Sequence, residues 1–305
     1  MNRSTIMVSL ALALAACGDG AAALPDAGPH VDAGPEPTSR GEFSVVEAVD
    51  VGFNGSPTHE YGSVGGFVRS GASPVWQHEV MNDGTCRLLL FEPAECNPYC
   101  EQGVCVATNH CEPFPSYLSV GTVTVRGLAV GTMQLEPFNG QNWYFPSDPP
   151  PGELFADDAR IQLSATGAGA IPAFATETPA VPRLETEIHN FEITLKDDED
   201  YVLRWTPAGD REQRVQLTIN ANNIGHGTPY NGIIACEAYD DAHEIRVPRA
   251  MIAAFPETEN WNACAGSDCP RSWVRRYRRS YATVPGGGVR LDVASLIGFG
   301  VVHRH

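Results

Sequence analysis

Positive charge is what this sequence most lacks. Lysine and arginine together number 20 against 37 aspartates and glutamates, a formal net charge of −17, and Lys196 is the single lysine. A field of that sign repels phosphate backbones and anionic lipid headgroups, so nucleic-acid binding is disfavoured and surface charge cannot hold the chain to a membrane. With abundant alanine, glycine and proline, the near absence of lysine reads as the codon bias of a GC-rich genome. Transmembrane helices are excluded as well. The apolar run from Ile6 to Ala16 is too short for a bilayer, which takes roughly 20 residues, and no other run approaches that length. A nucleophile elbow, HExxH, a P-loop and a GxGxxG opening a helix are all missing. His59-Glu60, His78-Glu79 and His243-Glu244 each lack the second histidine that a zinc protease needs. No cofactor and no metal centre is expected on these grounds.

What is present begins at the N-terminus. Arg3, the apolar run and a close of small residues have the order of a secretion signal spanning residues 1–16. Leu14-Ala15-Ala16-Cys17 resembles the lipobox of bacterial lipoproteins. That resemblance implies a diacylglyceryl thioether on Cys17 with a further N-acyl chain, and two or more chains anchor stably where one is marginal. Gly18 in place of an aspartate points to the outer membrane of the cell envelope. Residues 17–41 then read as the lipidated cysteine and a linker, in which Asp26-Ala27-Gly28-Pro29 recurs as Asp32-Ala33-Gly34-Pro35. In a polyproline-like extension at ~3.1 Å per residue it would reach up to roughly 70 Å.

With Cys17 assigned to lipid, eight cysteines remain: Cys86, Cys96, Cys100, Cys105, Cys111, Cys236, Cys264 and Cys269. An even set in an exported chain reads as disulfides. A zinc knuckle including His110 fits poorly, because the spacings do not match paired C-x₂₋₄-C elements. Cys264 and Cys269 flank Ala-Gly-Ser-Asp and can close on each other. Parity then sends Cys236 back to the 86–111 cluster. Cys86 is the preferred partner, since both lie in strand-like runs.

From residue 42 onward, short alternating runs are punctuated by Gly, Pro, Asn and Asp. Val215, Leu217 and Ile219 alternate with polar residues, and Tyr201, Leu203 and Trp205 do the same beyond an acidic turn at Asp197 to Asp200 that joins them to the run Glu187 to Leu195. Other candidate strands are Phe43–Val49, Thr85–Phe91, Ser119–Arg126, Ile161–Ala165, Gly232–Ala238, His243–Val247, Trp273–Thr283 and Val289–Val302. Pro248 would open one short helix running to Phe255. The expected fold is all-β, an antiparallel β-sandwich with a disulfide-rich insert at 86–111 and one short helix. Residues 42–135 form a first β segment and 136–305 a second, compatible with a single domain. Cys96, Pro98, Cys100, Gly103, Cys105 and Cys111, followed by Gly121 and a Val-Thr-Val run, resemble cysteine-rich inserts in poorly characterised exported proteins of GC-rich proteobacteria. That likeness implies no activity.

Four groups of residues offer chemistry. Asn139, Gln141, Asn142, Trp143, Tyr144 and Phe145 mix amides with aromatic faces in a Gly/Pro-rich stretch, as sugar-binding loops do. Asp240, Asp241, His243 and Glu244 fall where a hairpin would turn, and Asp197, Asp198, Glu199 and Asp200 lack the ordered spacing of a calcium loop. Arg275, Arg276, Arg278 and Arg279, with Trp273, Tyr277 and Tyr281, suggest a strand whose arginines stack on aromatics or blunt an edge. The reading is a non-catalytic β module displayed at the envelope for binding a glycan or protein, or for structural interaction. The alternative is an anchored hydrolase with a dispersed site, using His226 in Gly225-His226-Gly227 or the Asp240 to Glu244 turn.

Overall fold

A computed structural model describes residues 39–50, 59–71, 77–148, 150–188, 192–221, 231–258 and 272–305. The leader with Cys17, and His226, Cys264 and Cys269, lie outside the described residues. Strands make up most of the rest. In chain order they are β1 (Ser39–Asp50), β2 (His59–Ser70), β3 (Gln77–Asn82), β4 (Cys86–Phe91), β5 (Gly103–Ala107), β6 (His110–Pro113), β7 (Ser116–Tyr117), β8 (Val123–Leu128), β9 (Gly131–Pro137) and β10 (Trp143–Phe145). There follow β11 (Arg160–Ala165), β12 (Phe174–Pro179), β13 (Glu192–Leu195), β14 (Tyr201–Arg204), β15 (Arg214–Asn220), β16 (Gly232–Tyr239), β17 (Glu244–Val247), helix α1 (Arg249–Ala253), β18 (Ser272–Val284) and β19 (Gly287–His303). The fold is all-β, as expected.

One large sheet runs in the order β12-β11-β8-β9-β10-β2-β1-β19-β18-β15-β16-β4-β3, with β13 also on β19 and β7 on β2. Its pairings are antiparallel except two, β1 with β19 and β13 with β19. The sheet curls until β12 meets β18, where Thr176 Oγ1 donates to Ser280 Oγ at 2.9 Å. A first core fills that curl, built from Phe43, Val64, Val125, Leu163 and Leu291 among others. A second core gathers Leu88, Leu203, Leu217, Ile234, Phe299 and the α1 residue Ile252. Each such side chain, fully buried, contributes about 1.5–3 kcal/mol.

The two cores share their longest strands. On β18, Ala282 and Val284 belong to the first and Val274 to the second; on β19, Val293 belongs to the first and Phe299 to the second. Enclosed along most of its length, β19 reads as a nearly unbroken apolar run, the pattern of a strand buried on both faces. Between the cores lies a polar waist, where Arg276 and Ser295 are buried and the Leu184 amide donates to Ser295 Oγ at 2.9 Å.

Cys86 and Cys236 face each other across β4 and β16 and form a disulfide, the pairing that parity and the two strand-like runs favoured. Cys96–Cys105 and Cys100–Cys111 interleave around the β5–β6 hairpin. Sulfurs committed to disulfides carry no thiolate for zinc, so His110 stands beside no knuckle. Alternation on β15 holds for Val215, Leu217 and Ile219, but Thr218 and Asn220 are buried too, so the end of that strand is enclosed on both faces. The acidic turn does not join a hairpin. β13 pairs with β19 and β14 with β17, and the turn's carboxylates reach different neighbours on the two sides. Pro248 caps α1 rather than opening it, and among the described residues no helix is long and apolar enough to cross a membrane.

Candidate functional site

Strands β10, β2, β1, β19 and β18 are consecutive neighbours. Because side chains alternate along each, the residues between their core positions all point to the outer face. Register lines these up in two cross-strand rows. One is Trp143, Phe67, Glu42, Arg290 and Tyr281; the other is Gly65, Ser44, Asp292 and Arg279. Small residues in the second row leave a depression between the aromatic end and the arginine end. It forms a cleft of about 270 Å³ lined by these rows as far as Arg290 and Asp292, and by Phe43, Gly66, Phe145 and Arg275. Gly65 is required here by packing: a Cβ on it would come 2.4 Å from the Phe145 ring.

The aromatic wall is tightly assembled. Phe67 and Trp143 stack at 5.5 Å between centroids and 22° between planes, while Tyr117 meets both edge-on at 5.3 and 4.9 Å. Such pairs add about 0.5–1.5 kcal/mol each beyond area burial, so the wall is preorganised. Trp143 Nε1 is buried and finds no acceptor among the described residues.

The opposite wall is ionic. Asp292 is buried and receives Arg279 at 2.7 and 3.1 Å, with Arg275 at 3.2 Å and Arg290 at 3.5 Å. Burial by itself would push the Asp292 carboxyl up, but the Arg279 hydrogen bond and the three arginine charges outweigh it and hold the group below the usual carboxylate range. Arg290 also donates to Glu42 at 2.6 Å, and its Nε has no hydrogen-bond acceptor among the described residues. Arg275 lies between the Trp273 and Tyr277 rings at 5.1 and 4.5 Å, and Arg279 is 4.8 Å from Tyr277. The cleft thus joins flat apolar faces to two guanidinium groups, Arg275 and Arg290, paired with two carboxylates, Glu42 and Asp292. No family model, curated protein or solved structure matches this chain. Its chemistry must therefore be read from these walls alone.

Of the residues read as a sugar-binding loop, Trp143 and Phe145 line this cleft, from the same strand. The segment is a strand, β10, because Trp143 and Tyr144 pair with Phe67 and Gly66 of β2. Alternation then turns Tyr144 inward, fully buried, its hydroxyl accepting the Val120 amide at 3.0 Å. Asn142 spends its amide on the Tyr117 carbonyl at 3.0 Å. Gln141 is exposed and closes a 3₁₀ turn at Phe138–Gly140 through its backbone N–H, while the Asn139 side chain lies outside the described residues.

The turn at Asp240 to Glu244 does not converge on a site. Asp240 is buried and accepts Arg276 Nε at 2.8 Å and the Ala208 amide at 2.6 Å, Asp241 pairs with Arg211, and Glu244 pairs with Arg204 and Arg246. His243, in the left-handed region at φ 51°, ends the turn. In the other acidic turn, Glu199 pairs with Lys196 and Asp200 accepts the Arg249 amide at 2.9 Å. The arginine run lies on a central strand, so it stacks on aromatics and blunts no edge. Glu42, Phe67, Arg290 and Asp292 were not singled out by sequence. Their only signal is outward parity on apolar strands, and it becomes a site only once β1 is known to lie beside β19.

Proposed function

We propose that this chain is an outer-membrane lipoprotein of the cell envelope, held by lipid on Cys17, whose β fold binds an acidic saccharide in the cleft between Trp143 and Arg290. The observation that carries the binding reading is the pairing of a preorganised aromatic wall with Arg275 and Arg290 across a 270 Å³ depression. A pyranose offers an apolar C–H face to Trp143 and Phe145. Its carboxylate can replace Glu42 on Arg290. The Glu42 side chain is 45% exposed and that of Arg290 25%, so Glu42 can swing to solvent while the ligand carboxylate keeps the guanidinium paired.

Oligogalacturonate and its neutral methyl ester are suitable probes for calorimetry. The acid is expected to bind more tightly than the ester, and Trp143→Ala and Arg290→Gln are each expected to weaken it at least about 10-fold, or ~1.4 kcal/mol. Equal affinities for acid and ester, with both variants unchanged, would remove the reading. Anchoring has its own test. Cys17→Ser protein is expected to leave the membrane fraction, since a net charge of −17 offers no other attachment to anionic lipid. Retention of that variant with its leader cleaved would mean a second anchor.

A further inference from the structure

At the far end of the second core, the strand β19 runs parallel to β13 with His303 opposite Leu195. Two residues further along each chain, that register sets Asp197 against His305. Residues two apart on an extended chain share a face, so both imidazoles meet one carboxylate. His303 Nε2 is 2.9 Å from Asp197 Oδ1, and His305 Nδ1 is 2.9 Å from Asp197 Oδ2. The two rings meet edge to face at 4.8 Å, and Phe255 packs on His303 from the core side. All three donor groups lie within 4.8 Å of one another.

The proton assignment is fixed by the core. His303 is fully buried, and its Nδ1 is 3.1 Å from the Pro256 carbonyl, which can only accept, so Nδ1 carries a hydrogen. Nε2 then turns its lone pair toward a carboxylate oxygen. Two acceptors at 2.9 Å are held together only by a cation on or between them, a proton or a metal ion. A histidine that donates its far N–H to a backbone carbonyl while its other nitrogen faces a carboxylate has the usual outer-shell arrangement of a metal ligand. The two 2.9 Å separations are hydrogen-bond distances to different oxygens of the carboxylate, whereas tetrahedral bonds of roughly 2.0–2.2 Å set donor atoms about 3.4 Å apart, so an ion enters by displacing the bridging protons and opening the cluster by about 0.5 Å. His303 is further braced by Thr258, whose Oγ1 accepts the His303 amide at 2.8 Å, and the His305 amide donates to Glu257 at 3.1 Å.

We propose that Asp197, His303 and His305 bind a divalent transition-metal ion of the zinc class, with the exposed side of His305 left open for water or an exogenous ligand. Two imidazoles and one carboxylate form a borderline N/O donor set that suits zinc and its neighbours rather than calcium or magnesium. The buried ligand supplies rigidity. The exposed pair supplies access, Asp197 and His305 having side chains 36% and 45% exposed. Without metal, hydrogen bonds from His305 and then His303 hold the Asp197 carboxyl below its usual range, and Asp197 raises His305, so protons compete with the ion at acidic pH.

The test is titration of the full-length protein with Zn²⁺ by calorimetry and with Co²⁺ by visible absorption. One ion per chain is expected, with a Co²⁺ spectrum free of thiolate charge-transfer bands. Asp197→Asn and His305→Ala should each weaken Zn²⁺ at least about 10-fold and abolish the rise in unfolding temperature that Zn²⁺ produces in the parent. His305 is half-exposed, so its variant retains the fold and keeps the test decisive even where a His303 substitution does not. Absence of stoichiometric binding in the parent, or unchanged affinity in both variants, overturns the site.

Discussion

Asp240→Ala is expected to cost the fold about 3–5 kcal/mol, the scale seen when one member of a buried ion pair is removed and the other is left uncompensated. The pair is unusually enclosed: the Arg276 side chain is 3% exposed and that of Asp240 0%. Arg276 also donates to the Arg183 carbonyl at 3.0 Å and to the Thr206 carbonyl, while Trp205 Nε1 donates to the Asp240 carbonyl at 2.9 Å. One guanidinium therefore satisfies carbonyls from two chain segments besides the carboxylate. Replacing both partners by apolar groups, Asp240→Leu with Arg276→Met, can be close to neutral in other proteins, but here it orphans those carbonyls and the Ala208 amide. The double variant is expected to stay destabilised by more than about 2 kcal/mol, counting ~1–3 kcal/mol for each unsatisfied buried group. Urea unfolding decides it, and a midpoint for Asp240→Ala within about 1 kcal/mol of the parent would show that the waist tolerates the loss.

Removal of the Cys86–Cys236 disulfide, as Cys86→Ser with Cys236→Ser, is the second large effect. The two cysteines stand 150 residues apart, and in the chain-entropy model closing such a loop stabilises by about 5 kcal/mol, an upper figure because the unfolded chain retains structure. The bond ties the β3–β4 hairpin at one end of the large sheet to β16, and both sulfurs sit in the second core. Cys96–Cys105 and Cys100–Cys111 span 9 and 11 residues, and none of their sulfurs joins either core cluster. Breaking them should loosen the β5–β6 hairpin alone. Global unfolding measured on the two sets of serine variants should therefore fall steeply for the first and little for the second. Equal losses would show the insert to be part of the cooperative fold.

Sequence alternation reports which face of a strand is apolar and says nothing of its neighbour. Val215, Leu217 and Ile219 reveal β15, and Tyr201, Leu203 and Trp205 reveal β14, with no hint that β14 pairs with β17 and not with β13. The Cys86 partner was legible in two steps, parity sending Cys236 to the 86–111 cluster and the strand-like runs around Cys86 and Cys236 choosing within it. β10 was not, since three residues between a 3₁₀ turn and a proline are too few to show a period. The cleft depends on Glu42 meeting Arg290, 248 positions away, and the histidine pair depends on β13 meeting β19. Both sites exist through register between distant strands. One-dimensional pattern holds no record of that.

Residues Gly41 to Val49 of β1 lie parallel against Val289 to Ile297 of β19. About 250 positions separate the two strands and a ribosome adds ~5–20 residues per second, so β1 is made roughly 10–50 s before its partner. Until then β1 has only β2, and an isolated two-stranded hairpin is at best marginally stable in water. The first core lacks Leu291 and Val293 over the same interval. Such long-range pairings also slow the search itself, because the entropy of closing the loop is lost before any contact rewards it. Every molecule thus passes through a stage with an open, apolar strand edge, the kind on which neighbouring β-rich chains join one another.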